Sequence, residues 1–204
     1  NESLPQGRPF YKGLAIYRSN VRLMDGCDLI IANLTPFRGV GADPGTAFEL
    51  GYRLIDTAAA YQNEEGVGQA VRSSGIPRDE IFITTKLWNA HHGYDKTLRA
   101  FDESLRKLGL DYVDLYLIHW PMPMKGLAGE TWRAMERIAK EGRARSIGLS
   151  NFTPAHMDQL LAQAEIVPAA LQIELHPTFT QPEARQYASD HGIIIESWSP
   201  IGGQ

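Results

Sequence analysis

The sequence predicts an α/β fold with a parallel sheet, either an open doubly wound sheet or a closed (β/α)8 barrel. From residue 46 onward, short β-branched runs end in a polar residue, and an amphipathic stretch follows each run. Continuous apolar runs of this length are typical of strands buried on both faces of a parallel sheet. Their recurrence about every 30 residues indicates right-handed βα units.

Seven segments carry the strand pattern. The first is the weakest, because it lies in a stretch of the chain that does not show the regular alternation. The predicted strands are Asp28–Asn33, Tyr52–Thr57, Ile81–Lys86, Tyr112–His119, Arg145–Asn151, Leu171–His176 and Ile193–Ser199.

Between these runs, apolar residues recur at steps of three and four, which predicts helices with one buried stripe. Two further helices are expected to begin at Thr153-Pro154 and Gln181-Pro182, where an N-cap residue precedes proline at the first helical position. The other predicted helices are Leu14–Met24, Gly45–Gly51, Glu64–Ser74, Asp95–Lys107 and Glu130–Glu141.

Composition excludes several classes of protein. The 204 residues are 43% hydrophobic and 22% charged, as in an ordinary globular protein, and no apolar run is long enough to span a bilayer. A net charge of −4 without a basic stripe argues against nucleic acid as a partner. The single cysteine, Cys27, cannot form an internal disulfide, so we expect a reducing, cytoplasmic setting. No Cys/His cluster has zinc-site spacing, and no metal site is predicted.

Polar residues end the predicted strands, where active sites of parallel α/β folds lie. Asp56, Lys86 and His119 each end a strand, and Tyr61 follows in a loop. An ordinary tyrosine has a pKa near 10, and a nearby ammonium favours its phenolate, so this set suits proton donation to a carbonyl. Taken singly, Asp56 could be a helix cap, Lys86 a solvated charge, His119 an edge histidine and Tyr61 a loop aromatic. No Gly-x-Gly-x-x-Gly precedes a helix, so a Rossmann nucleotide site is unsupported.

Residues 51–203 resemble the aldo-keto reductases. The resemblance is carried by GYRLIDTAAAYQNEEGVGQAV, TTKLWN, FDESLRKLGLDYVDLYLIHWPMP, GRARSIGLSNF, QIELHPT and ESWSPIG. It implies a TIM-type (β/α)8 barrel and NADP(H)-dependent reduction of aldehydes or ketones. The catalytic positions of the family fall on Asp56, Tyr61, Lys86 and His119. Its cofactor contacts fall on Ser150, Asn151, Gln172, Trp198, Ser199 and Ile201.

Two parts of the family pattern have no counterpart in this sequence. They are the opening hairpin with the first strand, and the eighth βα unit with the cationic clamp for the cofactor 2′-phosphate. We therefore expect an incomplete, seven-stranded barrel and weak cofactor binding. Two open barrel edges would recruit a second copy of the chain, so a homo-oligomer is expected.

Residues 14–53 resemble a different family, the nucleoside 2-deoxyribosyltransferases. The matching text is AIYRSNVRLMDGCDLIIANLTPFRGVGADPGTAFELGY. The resemblance implies a nucleophile at Glu49, a catalytic aspartate at Asp43 and a sugar contact at Asn20. The ordinary alternative is that Asp43 is a loop residue and Glu49 an exposed helix residue.

The two resemblances meet at Glu49–Arg53, which suits either family, so the chain resembles a fusion at a shared helix. We expect one barrel-like domain over residues 1–204. Residues 1–50 would supply a surrogate first strand and helix, and residues 51–204 the reductase part. Three functional hypotheses follow: a reductase acting on a small carbonyl substrate, a deoxyribosyltransferase using Glu49, and an inactive scaffold.

Overall fold

The computed structural model describes residues 31–33, 47–48 and 51–200, and of residues 31–33 only the backbone. These residues belong to one compact unit that begins at Ile31. The helix predicted at Leu14–Met24 lies outside the described residues. So do the proposed site residues Asn20, Asp43, Glu49 and Ile201. Ala47 and Phe48 are helical and buried.

Seven parallel strands form one sheet, and each pairs with the next along the chain. This arrangement confirms an incomplete (β/α)8 barrel and excludes the doubly wound alternative, in which the strand order reverses. The strands are β1 (Ile31–Asn33), β2 (Leu54–Asp56), β3 (Phe82–Leu87), β4 (Val113–Ile118), β5 (Ala144–Ser150), β6 (Ala170–Glu174) and β7 (Ile194–Trp198).

Five described helices alternate with the strands. They are α1 (Glu64–Ser73), α2 (Tyr94–Leu108), α3 (Ala128–Lys140), α4 (Pro154–Leu161) and α5 (Pro182–Asp190). None of the helices within the described ranges is both long and apolar enough to cross a membrane. Short 3-10 turns occupy Ala59–Tyr61, Arg78–Glu80, Asn89–His91 and Pro123–Lys125.

The two proline-led helix starts behave differently. The Thr153 hydroxyl accepts a hydrogen bond from the backbone N–H of His156, as a capping residue should. Gln181 occupies the predicted position before Pro182, but its side chain makes no capping bond. Its amide instead donates to the carbonyl oxygen of Glu174, so the predicted second cap is wrong in its chemistry.

Strand β4 is apolar on both faces because each face packs into a separate hydrophobic core. Tyr116 and Ile118 join the large core between the sheet and the helices, and Tyr116 packs on Phe101 of α2. Leu115 and Leu117 belong to a second, smaller core together with Ala170 of β6. Because successive residues of a strand face opposite sides, the second set lies on the concave face. Lys86 is the register partner of Leu117 and so shares that face.

Candidate active site

The candidate site is built around a buried ion pair at the carboxyl ends of β2 and β3. Lys86 Nζ lies 2.5 Å from Asp56 Oδ1, and each side chain is 1% exposed. The ammonium also donates to the carbonyl oxygen of Thr57 at 3.0 Å. Lys86 is therefore no solvated rim charge, and Asp56 caps no helix. Burying a lysine requires compensation of this kind, because an unpaired ammonium is strongly disfavoured away from water.

Tyr61 stands next to this pair. It ends the short turn Ala59–Tyr61 that follows β2, and Gln62 closes the turn in a left-handed conformation, with φ 55°. The Lys86 ammonium lies 5.3 Å from the centroid of the Tyr61 ring. The phenol is therefore within electrostatic range of a buried, oriented positive charge.

His119 completes the group from the end of β4. Its ring makes edge contacts with Tyr61 and Trp88, with centroids 5.8 Å and 5.6 Å away. Burial, and then the Lys86 charge, lower the pKa of His119 to about 4. Its Nδ1 is buried and has no hydrogen-bond partner within the described ranges. The imidazole is thus neutral at pH 7 and can offer one ring N–H to a ligand.

A second group of polar side chains follows β5, β6 and β7. Asn151, with φ 64°, donates its amide to the His119 carbonyl and to Ser150 Oγ, at 2.9 Å and 3.0 Å. The indole N–H of Trp198 donates to Asn151 Oδ1 at 2.9 Å. Gln172 lies on the same sheet face as its register partner Ser150. These bonds link the end of β4 to the end of β7.

An open cavity of about 520 Å³ lies beside this second group. Its lining includes Asn151 and Trp198 together with Trp120, Glu174 and Phe179. The aromatic side chains give it flat apolar walls, and the amide and carboxylate give it polar edges. Such a cavity suits a planar, partly polar ligand.

The structure brings together most of the residues singled out in the sequence. Asp56, Tyr61, Lys86 and His119 form the first group, and Ser150, Asn151, Gln172 and Trp198 lie at the ends of neighbouring strands. Ser199 follows β7 with φ 51°. Sequence reasoning missed Glu196, a β7 residue that accepts a hydrogen bond from Gln172 at 3.0 Å. The only available signal was its polarity inside an apolar strand.

The chain belongs to the aldo/keto reductase family, whose model matches residues 44–204. A second family model, nucleoside 2-deoxyribosyltransferase, matches residues 4–78. Both predicted resemblances are confirmed, and the two matches overlap across the shared segment around Glu49–Arg53.

Individual relatives agree with the reductase match. A glyoxal reductase of Bacillus subtilis is 47% identical over 189 residues, which are 90% of this chain and 68% of that protein. An aldo/keto reductase structure from Brucella melitensis has a TM-score of 0.77 at 55% identity, covering 79% of this chain and 62% of that one. A Bombyx mori aldo-keto reductase in complex with NADP has a TM-score of 0.78 at 39% identity, covering 85% and 63%. The chain thus spans about two thirds of the length of these relatives.

Proposed function

We propose that this protein is an NADP(H)-dependent carbonyl reductase that converts small aldehydes or ketones to alcohols. The observation that carries the proposal is the buried Lys86–Asp56 pair beside the Tyr61 ring. A buried lysine whose charge lies beside a phenol ring has a clear chemical use in proton transfer. The family membership and the NADP-bound relative support the same reaction.

Proton transfer is the part of the reaction that these residues can perform. The Tyr61 hydroxyl donates its proton to the carbonyl oxygen of the substrate. Lys86 stabilises the phenolate that remains, and Asp56 keeps the ammonium charged and oriented. The neutral His119 ring orients the carbonyl by donating an N–H to its oxygen. When bound, NADPH supplies the hydride that reduces the carbonyl carbon.

The polar group after β5 to β7 suits the nicotinamide end of this cofactor. A carboxamide needs both a hydrogen-bond donor and an acceptor. The Ser150 hydroxyl can serve as either, and Gln172 keeps its amide oxygen as an acceptor, since its nitrogen is already engaged. Trp198 is held by Asn151 at the cavity wall, where an indole face can stack on a flat ring. Ser199 and Ile201 would continue the contact along the pyrophosphate.

The test is to mix the protein with NADPH and a reactive aldehyde and to follow the absorbance of the reduced cofactor. Tyr61→Phe should lower kcat by about 10²–10⁴-fold, the usual contribution of a positioned general acid. Tyr112→Phe is the matched control, because its ring lies between Arg78 and Arg145 at the start of β4, the opposite end of that strand from His119. No turnover by the unaltered protein, or an equal rate for Tyr61→Phe, would reject the proposal.

The amino-terminal match favours a second candidate, nucleoside 2-deoxyribosyl transfer. Glu49 would attack the anomeric carbon of a deoxyribose and displace the base, assisted by Asp43 and Asn20. Incubating a deoxynucleoside with a second free base should then yield the exchanged nucleoside, and Glu49→Ala should abolish it. Stable protein that neither binds NADPH nor exchanges bases would select the inactive scaffold instead.

The single barrel-like domain remains part of this proposal. Parallel pairing of β1 with β2, in which Asn33 is the register partner of Asp56, supports residues 1–50 as the source of a surrogate first strand. Association of two copies through open barrel edges stays a prediction. Light scattering at micromolar concentration would test it, and a clean monomer would contradict it.

A further inference from the structure

The side-chain amide of Gln172 lies between two carboxylates on the concave face of the sheet. Its Nε2 donates to Asp56 Oδ2 at 2.7 Å and to Glu196 Oε2 at 3.0 Å. A primary amide has two N–H protons, so both are committed. Rotating the amide by half a turn would direct its oxygen at both carboxylates. The two acids together therefore permit only one orientation of this amide.

Glu196 reaches Gln172 by strand register. The two residues are Cα partners across β6 and β7, so their side chains leave the sheet on the same face. Asp56 approaches from β2, and its other oxygen is occupied by the Lys86 ammonium. Burial, reinforced by the charge of Asp56, raises the pKa of Glu196, whereas the Gln172 bond opposes that rise.

A single carboxylate would hold the amide less firmly. With Asp56 alone, one N–H of Gln172 would be free, and the amide could turn about that one bond. The second carboxylate removes this freedom and leaves Oε1 as the polar side-chain atom of Gln172 that neither carboxylate engages. An oxygen presented in this way selects a ligand with an N–H donor.

We propose that Glu196 is a positioning residue which, together with Asp56, fixes the Gln172 amide so that its oxygen accepts a hydrogen bond from the nicotinamide carboxamide. This inference rests on the carbonyl reductase function proposed above. It assigns to Glu196 a role in cofactor orientation and no contact with the reacting atoms.

Two substitutions separate this role from simple space filling. Glu196→Gln keeps an oxygen that can accept from Gln172. Glu196→Leu keeps similar volume but offers no acceptor, which releases one N–H of Gln172. If Glu196 only filled space, the two variants would behave alike.

The first measurement titrates each protein with NADP+ and with its 3-acetylpyridine analogue, using tryptophan fluorescence. The analogue carries a methyl ketone in place of the carboxamide and so has no N–H to donate. Glu196→Leu should weaken NADP+ binding about 5-fold, the value of one hydrogen bond of about 1 kcal/mol. Its affinity for the analogue should stay unchanged, and Glu196→Gln should bind NADP+ like the unaltered protein. Equal losses for both ligands, or no loss for either, would overturn the proposal.

The second measurement needs no cofactor. Hydrogen exchange of the Gln172 side-chain amide protons, followed by NMR, should be slow in the unaltered protein and in Glu196→Gln. It should be clearly faster in Glu196→Leu. Equal exchange in the unaltered protein and Glu196→Leu would show that Glu196 does not fix the amide. If the unaltered protein binds neither ligand, the reductase function fails and this proposal fails with it, an outcome distinct from equal exchange.

Discussion

The Lys86 ammonium and the Asp56 carboxylate form an ion pair at 2.5 Å that is almost wholly removed from water. Such a pair is costly to assemble, because each charge loses its hydration. Under the proposed function, the ammonium serves the Tyr61 side chain beside it rather than the stability of the barrel. This division of roles can be tested by separating stability from activity.

Removing one member of the pair should destabilise the fold more than removing both. Lys86→Met leaves Asp56 buried beside an apolar side chain, and we expect a loss of about 3–5 kcal/mol in the free energy of unfolding. Adding Asp56→Asn removes the uncompensated charge, so the double variant should recover part of that loss. Urea unfolding measures both.

A matched control is Lys140→Met, which breaks the exposed Lys140–Glu165 pair. Exposed pairs contribute about 1 kcal/mol or less. Additive losses for Lys86→Met and Asp56→Asn would contradict the view that the two charges compensate each other. Both single variants should lose the proposed reductase activity, whereas the control should keep it.

Several parts of this site could be predicted from the sequence because strand direction alone determines them. The carboxyl ends of parallel strands meet at one edge, so Asp56, Lys86 and His119 could be grouped from the sequence alone. The six predicted strands from Tyr52 onward agree with the structure to within a few residues for the same reason: each has an apolar run that ends at a polar residue. Of the predicted strand Asp28–Asn33, residues 28–30 lie outside the described residues.

The contacts across the concave face were not predictable. The Gln172–Asp56 bond joins residues 116 positions apart, and it depends on how far the sheet curls. Glu196 becomes informative only through that bond. The same holds for Trp198, whose contact with Asn151 spans 47 positions. Gln181 gave a misleading local signal, because its long side chain reached a neighbouring strand rather than its own helix.

The stability of the protein should fall as the pH drops from about 6.5 to about 4. His92 is 1% exposed, and neither ring nitrogen has a partner among residues 51–200. Burial, and then the Lys125 charge, lower its pKa from 6.5 to about 4. Between pH 6.5 and about 4, His92 binds a proton in the unfolded chain but not in the folded protein. The free energy of unfolding is therefore highest above pH 6.5 and falls as the pH drops through this range.

Urea unfolding across pH 4–7 measures this effect. Each histidine of this kind contributes a slope of up to about 1.4 kcal/mol per pH unit. His92→Leu should flatten the slope, and His119 should account for part of the remainder, since its pKa is lowered to about 4 as well. Lys125→Met should raise the folded-state pKa of His92 by removing a repelling charge, so the decline should still begin near pH 6.5 but end at a higher pH with a smaller total loss. An unchanged slope in His92→Leu would contradict this account.

Asp114 should matter for stability and not for catalysis. It lies near the start of β4, is 2% exposed, and accepts hydrogen bonds from the Ile83 N–H, Arg78 and Arg145. The two guanidinium groups also lie against the ring of Tyr112, at 4.1 Å and 4.4 Å from its centroid. This cluster joins the amino-terminal ends of β3, β4 and β5, opposite the candidate site.

We expect Asp114→Asn to lower the free energy of unfolding by about 3 kcal/mol, because a buried backbone N–H and two cations lose their anionic partner. The rate of the proposed carbonyl reduction by the folded protein should stay unchanged. Asp102→Asn, which removes an exposed partner of Arg143, is the matched control and should cost less than about 1 kcal/mol. A comparable loss of stability in the control would mean that burial does not increase the contribution of Asp114 to the free energy of unfolding.

Gly66 and Gly68 lie on opposite faces of α1, and substitution by alanine should change stability in opposite directions at the two positions. Gly66 is exposed, and a Cβ there would meet nothing within 4 Å, so Gly66→Ala should raise the free energy of unfolding by about 0.5–1 kcal/mol through helix propensity. At Gly68 a Cβ would lie 1.8 Å from the carbonyl oxygen of Leu108, the last residue of α2. That oxygen also accepts a hydrogen bond from Arg72 of α1 at 2.8 Å, so the two helices cannot separate without weakening this hydrogen bond. Gly68→Ala should therefore lower the free energy of unfolding by about 1–3 kcal/mol, despite the better helix propensity of alanine. Thermal unfolding of the two variants measures both effects. Higher stability in both variants would show that α1 and α2 can move apart at little cost.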